Sequence, residues 1–152
     1  MGAQTYTYPG ATIPFLRKRV LNVLKPSNEP QTIHLLGGGN DCTESNVKVR
    51  DVKNEYSRLL DDVKQRCPNS TIFINQIPPR PDHNTAISAL NSRLKHLCDP
   101  KNDIYFVDAC PKTKEYFIED LVHFNGKGVS FYADRLVDAM TNFHSLHLNP
   151  KR

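Results

Sequence analysis

The sequence predicts an α/β domain of the three-layer α/β/α type, a parallel sheet held between two layers of helices. Three observations predict it. Short β-branched, aromatic and aliphatic runs alternate with amphipathic helical patterns, in the order β-α-β-α-β-α-β-α. The strand candidates are mostly apolar throughout rather than alternating, as in parallel strands buried on both faces. A glycine run follows the second strand candidate directly, where sheets of this kind place ligands, beyond the carboxyl ends of their strands.

Thr5-Tyr6-Thr7-Tyr8 is the first strand candidate, ended by Pro9-Gly10. Thr12 reads as an N-cap, with Pro14 in the first helical turn. Leu16, Val20, Val23 and Leu24 then fall on one helix face, and Lys25-Pro26 stops the helix. Thr32 to Leu36 is a buried strand candidate running into Gly37-Gly38-Gly39. Val52, Tyr56, Leu59, Leu60 and Val63 make a strongly amphipathic helix that ends near Cys67-Pro68. Thr71 to Ile74 is the next strand, closed by Pro78-Pro79. Ile87, Leu90, Leu94, Leu97 and Cys98 mark a third helix, and Ile104 to Val107 the last strand. Val129, Tyr132, Leu136, Met140 and Phe143 mark the final helix.

A length of 152 residues, 38% of them hydrophobic and 24% charged, fits one compact domain over residues 1–145 with a basic tail at 146–152. No stretch reaches the roughly 18 apolar residues of a membrane span, and no secretory leader is visible. The expectation is a cytoplasmic chain. Met1-Gly2 fails the myristoylation pattern because Tyr6 stands where Ser or Thr is needed. Cys42, Cys67, Cys98 and Cys110 form no C-x-x-C pair, so they read as reduced thiols, mostly in the core, rather than a zinc site. No metal or other cofactor is expected. The net charge of +4 is modest, with basic clusters only at Arg17-Lys18-Arg19 and Lys151-Arg152. These read as a solvated helix face and tail, with a weak nucleic-acid or anionic-surface contact as the alternative. His144 and His147 read as solvated tail, and His34 as a satisfied core histidine.

Chemistry concentrates in three segments. Asp120 and His123 stand three apart, close enough for the carboxylate to fix the imidazole tautomer and free the other ring nitrogen to take a proton. Gly39-Asn40-Asp41 combines a backbone able to approach a ligand closely with an amide able to donate to a developing oxyanion. Gly10 offers a backbone N–H at a strand-to-helix turn, suited to a second oxyanion donor. All three follow strand candidates, so one edge of the sheet can gather them.

In this order the segments resemble the SGNH (GDSL-type) hydrolases, whose blocks are a Gly-Asp-Ser nucleophile, a later glycine, G-x-N-D and a C-terminal D-x-x-H. Gly10 matches the second block, Gly38-Gly39-Asn40-Asp41 the third, and Asp120 with His123 the last. Tyr8-Pro9-Gly10-Ala11, Ile77-Pro78-Pro79-Arg80, Asn91 with Cys98, and His123-Phe124-Asn125 with Gly128 are similar to the esterase domain of LINE-type retrotransposon first-ORF proteins. The resemblance implies ester hydrolysis: a serine attacks the acyl group, His123 acts as base then acid, Asp120 orients it, and Asn40 and Gly10 hold the oxyanion. It also implies a flavodoxin-like strand order of 2-1-3-4-5.

The Gly-Asp-Ser block has no counterpart, for no serine precedes Gly10. By that comparison the first, central strand is lacking, and the sheet has a gap between Thr5–Tyr8 and Thr32–Leu36 unless the two re-pair. Cys42 and Ser45 lie past the oxyanion turn, on the wrong side to serve as nucleophile. The chain alone is therefore expected to be inactive or strongly impaired. The alternative is a non-catalytic module binding protein or RNA. A small ester is the expected substrate if a serine is supplied, and unpaired strand edges favour a homodimer formed by strand exchange.

Overall fold

The computed structural model describes the backbone of residues 3–147 and the side chains of residues 3–142. The side chains of His144 and His147 and most of the 146–152 tail lie outside the described residues. Helix α1 (Ile13–Val23) leads to strand β1 (Thr32–Leu35), α2 (Val49–Arg66), β2 (Thr71–Asn75), α3 (Asn84–Lys95), β3 (Ile104–Val107) and α4 (Gly126–His147). The strands form a parallel sheet in the order β1-β2-β3.

Because successive strand residues point to opposite faces, the sheet builds two cores. Ile72 and Ile74 of β2 and Ile104 of β3 pack with Ile13 of α1, with Tyr56, Leu59 and Val63 of α2, and with Leu90 and Leu94 of α3. Phe73, Tyr105 and Val107 face the other way, onto Tyr132, Leu136 and Met140 of α4. The result is three layers, with α1, α2 and α3 on one face and α4 on the other.

Several sequence expectations are corrected. Thr5–Tyr8 forms no strand. No described strand lies beside it, and Tyr8 instead packs edge-on against Phe15, 5.9 Å between ring centroids, with the Arg19 guanidinium 6.0 Å from the Tyr8 ring. The sheet is therefore continuous rather than gapped, and β1 is an edge. Among the described residues it has three strands in sequential order, not the five of the implied 2-1-3-4-5 order. Leu36 lies past the end of β1 and is exposed. Leu97 and Cys98 lie beyond the end of α3, and Cys98 is exposed, unlike the other three cysteines. Val129 is exposed on α4.

His34 is only half satisfied. Its Nδ1–H donates to Asn75 Oδ1 at 3.2 Å and its ring stacks on Phe73, but Nε2 is buried without a hydrogen-bond partner. Burial holds the His34 pKa below the usual histidine range, against the raising effect of the Asn75 bond.

Thr12 occupies the N-cap position of α1, but its side chain makes no cap bond. The Asp41 carboxylate does so from 28 residues away, accepting the Ile13 N–H at 3.1 and 3.2 Å. This bond ties the glycine-rich turn to the start of α1. Removing a capping carboxylate typically costs about 0.5–2 kcal/mol. Asp41→Ala is expected to lose stability in that range in urea titration, whereas Thr12→Ala should stay within about 0.5 kcal/mol of wild type. Equal losses would show that the distant carboxylate is not the cap.

Candidate active site

The site is built from loops at the carboxyl ends of the strands. Residues 36–48 follow β1, residues 76–83 follow β2, and residues 108–125 follow β3. Helix α4 runs back across the sheet. Its Tyr132 hydroxyl donates to the Gln76 carbonyl just past β2 at 3.4 Å, and its Met140 sulfur receives the Thr32 hydroxyl at the start of β1 at 3.6 Å. The N-terminal end of α4 therefore lies at the carboxyl edge of the sheet, and Asp120–His123 immediately precedes it.

Asp120 organises that turn. One carboxylate oxygen accepts the Val122 and His123 N–H groups at 2.8 and 3.0 Å, and the other accepts His123 Nδ1–H at 2.6 Å. Between them Leu121 adopts left-handed backbone, φ 56°. For a leucine that conformation is strained, and it lets the chain fold tightly enough for one carboxylate to reach all three donors. The bond from the His123 ring, with the two backbone bonds, holds the Asp120 carboxyl down at about 2. An ionised carboxylate only accepts, so Nδ1 carries the proton and Nε2 of the neutral ring presents its lone pair. His123 is 74% exposed at its side chain. Among the described residues no hydroxyl or thiol is hydrogen-bonded to its ring.

Asn125 fastens this turn to α4. Its Nδ2 donates to the Glu115 and Phe117 carbonyls at 2.7 and 3.3 Å, and its Oδ1 accepts the Gly128 N–H at 3.0 Å. Gly128 lets residue 116 cross the helix closely, since a Cβ there would lie 2.1 Å from the Tyr116 carbonyl oxygen. The spacing of His123-Phe124-Asn125 and Gly128 thus has a structural reason.

The second group of residues gathers around Asn40. Its Nδ2 donates to the Ala11 carbonyl at 3.0 Å, which brings the amide beside the Gly10 turn. Gly10 itself has φ +74° and open space where a side chain would be. Gly38, at φ +106°, has no such room, because a Cβ would lie 2.9 Å from Leu90. The Asn40 side-chain oxygen Oδ1 accepts from Arg80 Nη2 at 3.0 Å. One N–H of the Asn40 amide remains for a further acceptor. Arg80 was legible in the sequence only as part of Ile77-Pro78-Pro79-Arg80; its bond to Asn40 spans 40 residues.

The structure thus joins Asp120 to His123, and Asn40 to the Gly10–Ala11 turn. No hydrogen bond between the two pairs exists among the described residues, and the 76–80 segment connects their loops. Gln76 Oε1 accepts the Cys110 N–H at 2.9 Å on one side, and Arg80 holds Asn40 on the other. Cys42 is buried, and burial raises its thiol pKa, with the Asp41 charge adding to the rise. Burial likewise pushes Cys110 up to about 12. Neither environment favours a thiolate nucleophile. A cleft of about 320 Å³, lined by Asp108, Lys112, Tyr116 and Arg135 among others, contains none of the sequence-predicted site residues.

The sequence pattern of the GDSL-like lipase/acylhydrolase family matches residues 2–131. The chain belongs to that family. Solved structures agree in fold with this GDSL-like chain. A family 3 carbohydrate esterase from Talaromyces cellulolyticus is similar at TM-score 0.75 and 16% identity, over 88% of this chain and 68% of that one. A family 3 carbohydrate esterase from Clostridium thermocellum gives 0.72 and 24%, over 90% and 69%. A member of the lipolytic G-D-S-L family from Veillonella parvula gives 0.69 and 14%, over 87% and 76%. No curated protein matches the GDSL-like chain in sequence. Among its described residues no group of three or more His, Cys, Asp or Glu side chains is placed to hold a metal ion, and no helix is long and apolar enough to cross a membrane.

Proposed function

We propose that this chain carries the proton-transfer and oxyanion parts of an acyl-ester-hydrolysing site but, by itself, no nucleophile. One observation carries the reading. The His123 Nδ1–H is bonded to Asp120 at 2.6 Å, which leaves Nε2 as a base with no hydroxyl or thiol bonded to it among the described residues. Supplied with a serine, His123 takes the hydroxyl proton as oxygen attacks the ester carbonyl, and then returns it to the departing alcohol. Asp120 stabilises the imidazolium, and the spare Asn40 N–H with the Gly10 N–H receives the oxyanion. Membership of the GDSL-like family and its fold support ester chemistry. The Tyr8-Pro9-Gly10-Ala11 and Ile77-Pro78-Pro79-Arg80 segments support a LINE-type retrotransposon origin for the domain.

Three measurements test this. The chain should hydrolyse p-nitrophenyl acetate no faster than its His123→Ala variant and should take no label from a fluorophosphonate probe. Its His123 Nδ1 proton should resonate far downfield by NMR and lose that shift in Asp120→Ala. Histidine-dependent turnover would reveal a nucleophile within the chain, and an unshifted proton would remove the orienting role of Asp120.

A further inference from the structure

Arg80 differs from the other partly buried arginine tied to a neighbouring element. Arg17 has two carboxylates, Asp62 at 2.8 Å and Glu55 at 3.1 Å. Arg80 is also partly buried, yet among the described residues no carboxylate lies within 4.0 Å of it and its guanidinium makes one hydrogen bond, to the neutral Asn40 amide. The carboxylate next along the turn from Asn40, Asp41, is turned away to the Ile13 N–H. A guanidinium has five N–H donors in a rigid fork, and only one of Arg80's is bonded to a described residue, Asn40. Partial burial of a cation without a counter-ion is costly unless a ligand completes it.

The backbone that carries this side chain is also held in place beforehand. The Arg80 N–H donates to Asn84 Oδ1 at 3.0 Å, and the Arg80 carbonyl accepts the His83 N–H at 3.0 Å. Two prolines precede it. Gly39 lies alongside the guanidinium: a Cβ there would stand 3.6 Å from Arg80 Nε and 3.7 Å from Nη2, in ordinary contact.

We propose that Arg80 recognises an anionic oxygen group, a carboxylate or phosphate, on the molecule that occupies the Asn40 turn. If the site handles esters, as proposed above, its substrates are acidic esters with that charge next to the scissile group. Only this last step rests on the ester reading; the anion site does not. The fork geometry of arginine suits both groups, through paired charge-assisted hydrogen bonds.

The test is a binding measurement and needs no turnover, so its failure and the failure of the ester reading are separable. Sodium acetate and inorganic phosphate are titrated separately into the chain at constant ionic strength, with the Arg80 Nε–H and Asn40 side-chain NH2 signals followed by NMR. Saturable shifts of both signals are expected with at least one anion, and the tighter of the two identifies the charged group. Arg80→Met should weaken that binding by about tenfold or more, the worth of one good charge-assisted contact. Arg80→Lys keeps a point charge without the fork and should weaken it by a smaller factor; it carries the test should the methionine variant not fold. Linear, non-saturating shifts with both anions would overturn the proposal. So would saturable binding equally tight in wild type and in both variants.

Discussion

Asn91→Ala is expected to lower stability by about 2–4 kcal/mol. Asn91 is buried on α3, where its Oδ1 accepts the Ile77 N–H at 2.8 Å and its Nδ2 donates to the Ile77 carbonyl at 2.9 Å. One side chain thus satisfies both backbone groups of a buried residue that lies in no strand. Truncation leaves that N–H and C=O in the core with nothing to bond, and each such group costs about 1–3 kcal/mol. Some relaxation toward water keeps the total below the sum of two maximal penalties. Urea unfolding measures the loss, with exposed Ser92→Ala as a control expected within about 0.5 kcal/mol of wild type. A loss at Asn91 no larger than the control's would mean that the loop re-forms its bonds elsewhere. Because Arg80 stands three residues past Ile77, the anion affinity of Asn91→Ala should also fall.

Gly128→Ala is the second large effect, and its sign is the informative part. Inside a helix, alanine is favoured over glycine by about 1 kcal/mol. That gain is outweighed here because the new Cβ would lie 2.1 Å from the Tyr116 carbonyl oxygen and 2.9 Å from Phe124 Cβ. The first contact is with backbone, which cannot rotate away. Overpacking of this kind costs about 1–3 kcal/mol, occasionally more, so a net loss in thermal stability is expected. Relief requires residues 116–124 to shift, and Asp120 and His123 lie within them, so the downfield His123 proton should move in the same variant. A neutral or stabilised Gly128→Ala protein with that proton unchanged would contradict the close crossing.

How much was legible depended on how local each interaction is. The Thr71–Ile74 and Ile104–Val107 runs and the α2 stripe of Val52, Tyr56, Leu59, Leu60 and Val63 all became buried elements, because period and apolarity alone specify them. The three-residue spacing of Asp120 and His123 likewise fixed their bond. Thr5–Tyr8 has strand-forming residues, but a strand also needs a neighbour, and the pattern of one run says nothing about that. The capping of α1 by Asp41 and the bond from Arg80 to Asn40 join residues 28 and 40 positions apart, and single residue types at such distances leave no periodic trace. Leu121 in left-handed backbone was equally hidden, since nothing in a leucine announces positive φ.

The loop after β2 touches its neighbours on both sides, Cys110 through Gln76 and Asn40 through Arg80. It therefore couples the loop that leads to Asp120 and His123 with the turn that carries Asn40. Inserting or deleting one residue there would shift those two loops relative to each other while leaving every side chain on them unchanged.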